Sequence, residues 1–256
     1  MSRTALAREL RRLHEAPELL VLPNVWDAAS ARTVAALPAC RALATASWAI
    51  AAARGVPDGG AIGAAAMIEA VGRVAGAVAL PVSADLEDGY GDAGATVAAA
   101  LEAGAVGCNL EDGNGDPVAH AERVATARAA GEAAGVPVVI NARTDVFLGD
   151  APDVGDAIAR GLAYLEAGAD CVFAIGARDA DDLRALSVAF AGRLSVLAGA
   201  GFPPLARLAE LGVARVTFGP GLMGAAYAEL QATAASLLEL GPLPDALGFR
   251  PPGAQG

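Results

Sequence analysis

The sequence predicts an α/β protein built as a single (β/α)8 barrel, and three observations predict it. Eight short β-rich runs can be picked out, each bounded by turn residues and followed by an Ala/Glu/Arg segment of helical periodicity. Several of those helical segments end alike, in a small residue and a glycine that lead into the next strand. The chain has 256 residues, a length that suits eight such units around one core and is awkward for two independent cores. An open, doubly wound sheet is the alternative, weakened because no Gly-rich dinucleotide fingerprint follows the first strand.

In chain order the runs are Leu19 to Trp26, Ala42 to Ser47, Pro81 to Asp88, Gly107 to Asp112, Val138 to Asp145, Cys171 to Gly176, Leu194 to Gly199 and Arg215 to Gly219. The stretches LEAGAVGCNL, LEAGADCVFA and LAELGVARVTF carry the repeated ending, where glycine suits a helix C-cap in the left-handed region. Leu101, Leu165 and Leu208 then face the sheet from equivalent turns of three helices. The longest gap, Ser47 to Pro81, holds a glycine-rich loop with Asp58 ahead of the second helix. Residues 1–241 are expected to form the one domain, and 242–256, with PLPD, RPP and GAQG, a loop-like tail. The segment Gln231 to Leu240 is apolar on more than one face, which fits either a subunit interface or a buried last helix.

Composition narrows the function classes. The chain is 55% hydrophobic but only 4% aromatic, so small and branched aliphatic side chains must do most of the packing. Its net charge is −11, without a single lysine, which repels phosphate backbones and makes nucleic acid a poor partner. Cys40, Cys108 and Cys171 lie far apart in apolar settings and read as buried thiols of a reducing, cytoplasmic compartment. The first residues are amphipathic and charged, unlike a secretory signal, and Gly, Pro, Asp or Arg interrupts every apolar stretch before a membrane span is reached.

In such a barrel, polar residues at the C-terminal ends of strands face the reaction chamber. The rule selects Asn24, Trp26 and Asp27 from the first run, Asp85, Glu87 and Asp88 from the third, Glu111 and Asp112 from the fourth, and Asn141, Arg143 and Asp145 from the fifth. Asp85 and Glu87 are two apart, so both point to one side while the strand persists, and Glu111 joins them from the neighbouring strand. Three convergent carboxylates repel one another unless a divalent cation sits among them. Oxygen-only ligands favour Mg²⁺ or Mn²⁺ over zinc, and His14 and His120 are isolated in sequence.

Blander roles stand beside these. Asp85 and Glu87 can cap the next helix, Asp88 can be a turn residue of DGYGD, and Asp112 can cap its loop or hold Arg143. Asp145 reads as a partner of the site rather than a ligand, and Asp58 in VPDGG as an ordinary turn aspartate. Arg143 offers a fork for a substrate carboxylate or phosphoryl group, or else pairs structurally with Glu111 or Asp112. The glycines of Gly199 to Phe202 and Gly219 to Gly221 supply backbone donors without a distinctive motif.

NVWDAASA, ATASWAIAAARGVPDG, SADLEDGYGD, GAVGCNLED, INARTDVFL, GADCVFAIG and LGVARVTFG together cover nearly the whole chain. On them the chain resembles the isocitrate lyase and phosphoenolpyruvate mutase superfamily, in particular its small, poorly characterised members. The resemblance implies a (β/α)8 barrel, often with its last helix exchanged between subunits, in a homodimer or homotetramer. It implies Mg²⁺ and an α-oxycarboxylate, with a C–C, P–C or C–O bond made or broken through an enolate or related intermediate. Carried over by motif, Asp85 is the direct metal ligand, and Asp58, Glu87 and Glu111 hold the metal's waters. Arg143 contacts the substrate, the backbone around Ala46 and Ser47 binds its carboxylate, and Trp26 and Asp27 form part of the floor.

The chain departs from the family pattern in two places, the lid and Trp48. The lyases carry a lid with a Lys-Arg-Cys-Gly-His stretch, where this chain reads EDGNGDPVAHAERV with no cysteine. The mutases have a longer lid with lysine and asparagine, of which only Asn114 offers a counterpart. Trp48 stands where small residues are usual. The favoured expectation is a Mg²⁺-dependent lyase or decarboxylase on a small 2-oxo or 2-hydroxy acid resembling oxaloacetate. The competing ones are a mutase-like or P–C bond enzyme, and a barrel without catalysis that serves as a binding or scaffold subunit.

Overall fold

The computed structural model describes residues 1–253, so the last three residues of the expected tail lie outside the described residues. The chain runs α1 (Arg3–His14), β1 (Leu20–Val21), β2 (Asn24–Val25), α2 (Ala28–Ala35), β3 (Leu43–Thr45), α3 (Ser47–Ala53), α4 (Ala64–Ala75), β4 (Val82–Asp85), α5 (Ala93–Glu102) and β5 (Gly107–Glu111). It continues through α6 (Pro117–Ala133), β6 (Val139–Thr144), α7 (Val154–Glu166), β7 (Cys171–Ala174), α8 (Ala180–Ala189), β8 (Leu194–Leu197), α9 (Leu205–Glu210), β9 (Arg215–Thr217) and α10 (Gly221–Leu238).

All strand pairs are parallel, in the order β1-β9-β8-β7-β6-β5-β4-β3-β2. From β2 to β9 successive strands are neighbours with no reversal of order, and β1 pairs with β9 at the far end, which argues against the doubly wound alternative. The sheet is large, curled and flanked by helices, but it has nine short strands where eight uninterrupted ones were expected. The first expected run is divided into β1 and β2 by Leu22 and Pro23, because proline has no N–H to give a ladder. Pairing continues on both sides of the break: the Leu22 amide donates to Val216 O at 2.9 Å, and the Ala44 amide to Pro23 O at 3.0 Å. Buried Asn24 adds to this, donating to Thr45 O at 2.9 Å and accepting from the Phe218 amide at 2.6 Å.

The repeated helix endings adopt the expected geometry. Gly104, Gly168 and Gly212 have φ of 106°, 110° and 82°. The amide after each reaches back to its helix, Ala105 to Ala100 O, Ala169 to Tyr164 O and Val213 to Leu208 O. Leu101 and Leu208 are buried in the core, and Leu165 is packed against it.

Helix α1 covers the N-terminal end of the sheet. A Cβ at Gly107 would lie 2.7 Å from Leu10 Cδ2, so glycine there lets α1 seat under β5. Asp170 ties that end together, pairing with Arg11 at 3.0 Å and Arg128 at 2.6 Å while accepting from the Ile140 amide at 2.8 Å.

Helix α10 is different. Met223 is its one buried residue, while Tyr227, Leu230 and Leu238 are exposed, as are Leu240, Leu243, Leu247 and Phe249 beyond it. A last helix buried within its own chain, one of the two expected readings, is therefore not what forms. The segment after it contains a short 3-10 turn at Asp245–Gly248. Cys108 and Cys171 are buried as expected, but Cys40 is only half-buried; all three are free thiols. Among the described residues, no helix is long and apolar enough to cross a membrane.

Candidate functional site

Strand register lines up the polar residues at the C-terminal end of the sheet. Glu111 and Arg143 are direct partners across β5 and β6, and Asp85 is level with Asn109 across β4 and β5. Two residues earlier on β5 and β6, and so on the same side, Asn109 and Asn141 form a buried layer beneath the site. Asn141 donates to Asn109 Oδ1 at 2.8 Å, and Arg215, fully buried, donates to the same oxygen at 3.0 Å. Burial pushes Arg215 down to about 10.

Asp85 ends its strand. Its Oδ2 accepts from the Ser47 amide at 3.0 Å, and its own amide donates to Thr45 Oγ1 at 2.9 Å. The amide expected to bind a substrate carboxylate thus serves Asp85 here. Ala46 and Ser47 are both buried, at the start of α3. Trp26 is half-buried against Ala46, Ala49 and Met223. Asp27 is exposed and caps α2, accepting from the Ser30 amide at 2.7 Å in a reciprocal capping box.

Glu87 reaches the site by a route other than the one expected. The strand stops at Asp85, and Glu87 takes a left-handed conformation with φ of 50°, so strand alternation does not align the two carboxylates. A turn brings Glu87 back: its carbonyl accepts from the Glu111 amide at 2.8 Å, and its Oε1 accepts from the Tyr90 hydroxyl at 3.1 Å. A side chain other than glycine held at positive φ is strained, a condition that clusters at functional sites. Asp88 caps the turn, accepting from the Tyr90 amide at 2.8 Å. Asp58 is exposed on its loop, two residues before Gly60, where a Cβ would lie 3.4 Å from Glu87 Oε2.

Electrostatics join these groups. Burial raises Glu111 to about 7; Arg143 opposes the rise, while Asp85, Asp145 and Glu87 add to it. Burial likewise raises Glu87, with the Tyr90 hydroxyl opposing and Asp58, Asp85 and Asp88 reinforcing. The four carboxylates singled out in the sequence therefore share one field. No three His, Cys, Asp or Glu side chains among the described residues are drawn together as a ready set of direct ligands. The side chains that share this field are all carboxylates, oxygen donors of the kind a hard divalent cation takes.

Arg143 is held from two sides. Its Nη1 lies 2.5 Å from Glu111 Oε2, and its Nε and Nη2 lie 2.5 and 3.1 Å from the two oxygens of Asp145. Of its two expected structural partners, Glu111 pairs with Arg143 and Asp112 does not. Buried Asp112 instead accepts from the amides of Asn114 at 2.8 Å and Asp145 at 3.0 Å, the Tyr164 hydroxyl at 2.8 Å, and Arg160 at 3.2 Å. Burial works against its charge, yet these donors hold its carboxyl below the ordinary range. Asn114 is exposed in the connection between β5 and α6, with φ of 56°.

One residue escaped the sequence reading. Glu87, Asp88, Glu111, Asp112 and the Gly59–Gly60 loop line a cleft of about 640 Å³, and Arg123 of α6 lines it with them. The available signal was positional, since Arg123 lies one turn after His120 on a helix that opens with Pro117.

Residues 10–238 match the family model described as phosphoenolpyruvate phosphomutase. An uncharacterised protein of Mycobacterium tuberculosis is 34% identical over 223 residues, 84% of this chain and 85% of the relative. The oxaloacetate decarboxylase of Rhodopseudomonas palustris is 32% identical over 213 residues, 78% of this chain and 72% of the relative. A crystal structure from Burkholderia cenocepacia, provisionally named a phosphonomutase, superposes with a TM-score of 0.84 at 41% identity, covering 94% of this chain and 100% of the other.

Proposed function

Because the chain belongs to the phosphoenolpyruvate phosphomutase family, within the isocitrate lyase and phosphoenolpyruvate mutase superfamily of enzymes, we propose that it is a Mg²⁺-dependent lyase or decarboxylase of a small, oxaloacetate-like 2-oxo or 2-hydroxy acid. The observation that carries this reading is the common field of Asp85, Glu87, Glu111 and Asp58 at the strand ends. Asp85 would hold the ion directly, with Glu87, Glu111 and Asp58 acting through water; Mn²⁺ suits the same oxygens. The bound ion supplies positive charge for the acid's carboxylate and the oxygen beside it, where charge grows as the neighbouring bond breaks.

The chain's own residues do the rest. The Ser47 amide fixes one oxygen of Asp85 and leaves the other free. Glu111 and Asp145 hold the Arg143 guanidinium in one orientation, from which it would contact the 2-oxo or 2-hydroxy end of the acid. Trp26 forms an apolar floor at the site's edge. Asn114 would act only if its exposed loop folds inward.

C–C cleavage is favoured over P–C chemistry by the loop after β5. Only residues 112–116 separate β5 from α6, and the chain has no lysine to meet a phosphoryl group. The decarboxylase relative points the same way, whereas the structural neighbour named a phosphonomutase supports the P–C alternative. In the fold, the Leu20–Val25 segment would close the sheet into a (β/α)8 barrel, with α10 exchanged between subunits of a homodimer or homotetramer.

The test is calorimetry with oxalate, a mimic of the enolate of pyruvate. Oxalate should bind only in the presence of Mg²⁺, and Asp85→Ala should abolish the binding; undiminished binding by that variant rejects the site. Release of pyruvate from oxaloacetate, set against turnover of phosphonopyruvate, separates the two chemistries. A barrel without catalysis turns over neither.

A further inference from the structure

The cleft beside the carboxylates holds a charge that the proposed chemistry leaves unused. Its acidic walls are Glu87, Asp88, Glu111 and Asp112, and Arg123 is the one cationic side chain lining it among the described residues. Four carboxylates around one guanidinium would ordinarily pair with it, yet Arg123 forms no ion pair among the described residues. Its Nη2 donates instead to two neutral acceptors, His120 Nδ1 at 3.1 Å and Glu111 O at 3.4 Å. The other arginine of the site already has two counter-charges, because Arg143 lies against both Glu111 and Asp145.

Arg123 is nevertheless fixed in place. His120 is fully buried and stands edge-on to the Tyr164 ring, 4.5 Å between centroids. As an acceptor at Nδ1, it is neutral with its proton on Nε2. The Nε of Arg123 is buried without a partner, whereas Nη1 has no hydrogen bond among the described residues and is not buried. A guanidinium anchored on one edge and open on the other, without a counter-charge, is built to receive an anion that the protein itself does not supply.

We propose that Arg123 is a specificity-determining residue that receives the distal carboxylate of a dicarboxylic acid, an inference that rests on the site binding 2-oxo or 2-hydroxy acids. The metal and Arg143 would take the 2-oxo or 2-hydroxy end, common to all such acids. Arg123 would then distinguish acids with a second carboxylate from those without one, in a cleft whose own charge otherwise repels anions.

The experiment titrates the Mg²⁺-loaded protein with three probes: oxalate, malate, and malate carrying an amide in place of its C4 carboxylate. The unmodified protein should prefer malate to the amide by at least about tenfold, the value of one charge-assisted hydrogen bond. Arg123→Met should erase that preference and lower the ratio of malate to oxalate affinity by a similar factor. Arg123→Lys, which keeps the charge but not the fork, should retain part of it and serves where the methionine variant does not fold. A merely structural role would weaken all three probes alike. Equal binding of malate and its amide by the unmodified protein overturns the proposal, as does a preference that survives in Arg123→Met. Those results leave Mg²⁺-dependent oxalate binding intact, whereas its absence from the unmodified protein overturns the reading of the whole site.

Discussion

Glu111 and Arg143, direct partners across neighbouring parallel strands, meet with 2.5 Å between Oε2 and Nη1, yet Glu111 is pushed up to about 7. Burial is the main cause of the rise; Arg143 opposes it, and the nearby Asp85, Asp145 and Glu87 add to it.

That imbalance has a direction in pH. An acid whose pKa is higher folded than unfolded binds more protons when folded, so stability falls as pH climbs from the unfolded value of 4.5 towards about 7. In chelator, the denaturation midpoint of the unmodified protein should therefore decline across this window. Glu111→Gln carries no titrating proton and should flatten the decline by about 1–3 kcal/mol. Urea midpoints measured at several pH values for both proteins check it, and parallel curves would rule out Glu111 as the source.

Asp112 and Tyr164 make a second prediction. The Tyr164 hydroxyl is buried and donates to Asp112 Oδ2, the carboxylate that also fixes the amides of Asn114 and Asp145. Tyr164→Phe removes one donor from a buried charge, at a cost of about 1–3 kcal/mol. Because Arg160 still holds Asp112, the variant should fold. Chemical denaturation should register the loss, with the slope on denaturant unchanged.

Much of this arrangement was legible in the residues themselves. The helix ends at Gly104, Gly168 and Gly212 followed from local turn chemistry, and the strand-end rule selected Asp85, Glu87, Glu111 and Arg143. What escaped depended on contacts between distant segments. Asp112 is held by Arg160, which lies 48 positions away and shares no local pattern with it. Glu87 was placed on an extended strand because alternation continues in the sequence, whereas the backbone turns left-handed there. Arg123 is one charge among several on α6, and only the packing of that helix beside the carboxylates singles it out.

Crowded carboxylates predict stabilisation by metal. If a divalent cation relieves the mutual repulsion of Asp85, Glu87 and Glu111, Mg²⁺ should raise the thermal midpoint. At a hundredfold excess over Kd the gain is about 2.7 kcal/mol. Asp85→Asn removes the proposed direct ligand and should abolish the rise, while its own midpoint in chelator should not fall, since one repelling charge is gone. Differential scanning fluorimetry with and without Mg²⁺ reads both effects, and an equal rise in the variant would remove Asp85 from the ligand set.

Helix α10 sets the last expectation. An 18-residue helix that buries only Met223 in its own chain, while Tyr227, Leu230 and Leu238 stand exposed, leaves large apolar side chains in water. Burying them against a second copy gains about 25 cal/mol for each Å² of apolar surface covered, and exchange of the helix between subunits is a direct way to cover them. The protein should therefore sediment as a dimer or tetramer at micromolar concentration. Leu230→Arg places a charge among those side chains and should shift the equilibrium towards monomer by at least about tenfold in Kd, because an unpaired buried charge is costly. Sedimentation equilibrium measures both, and a monomeric unmodified protein would overturn the expectation.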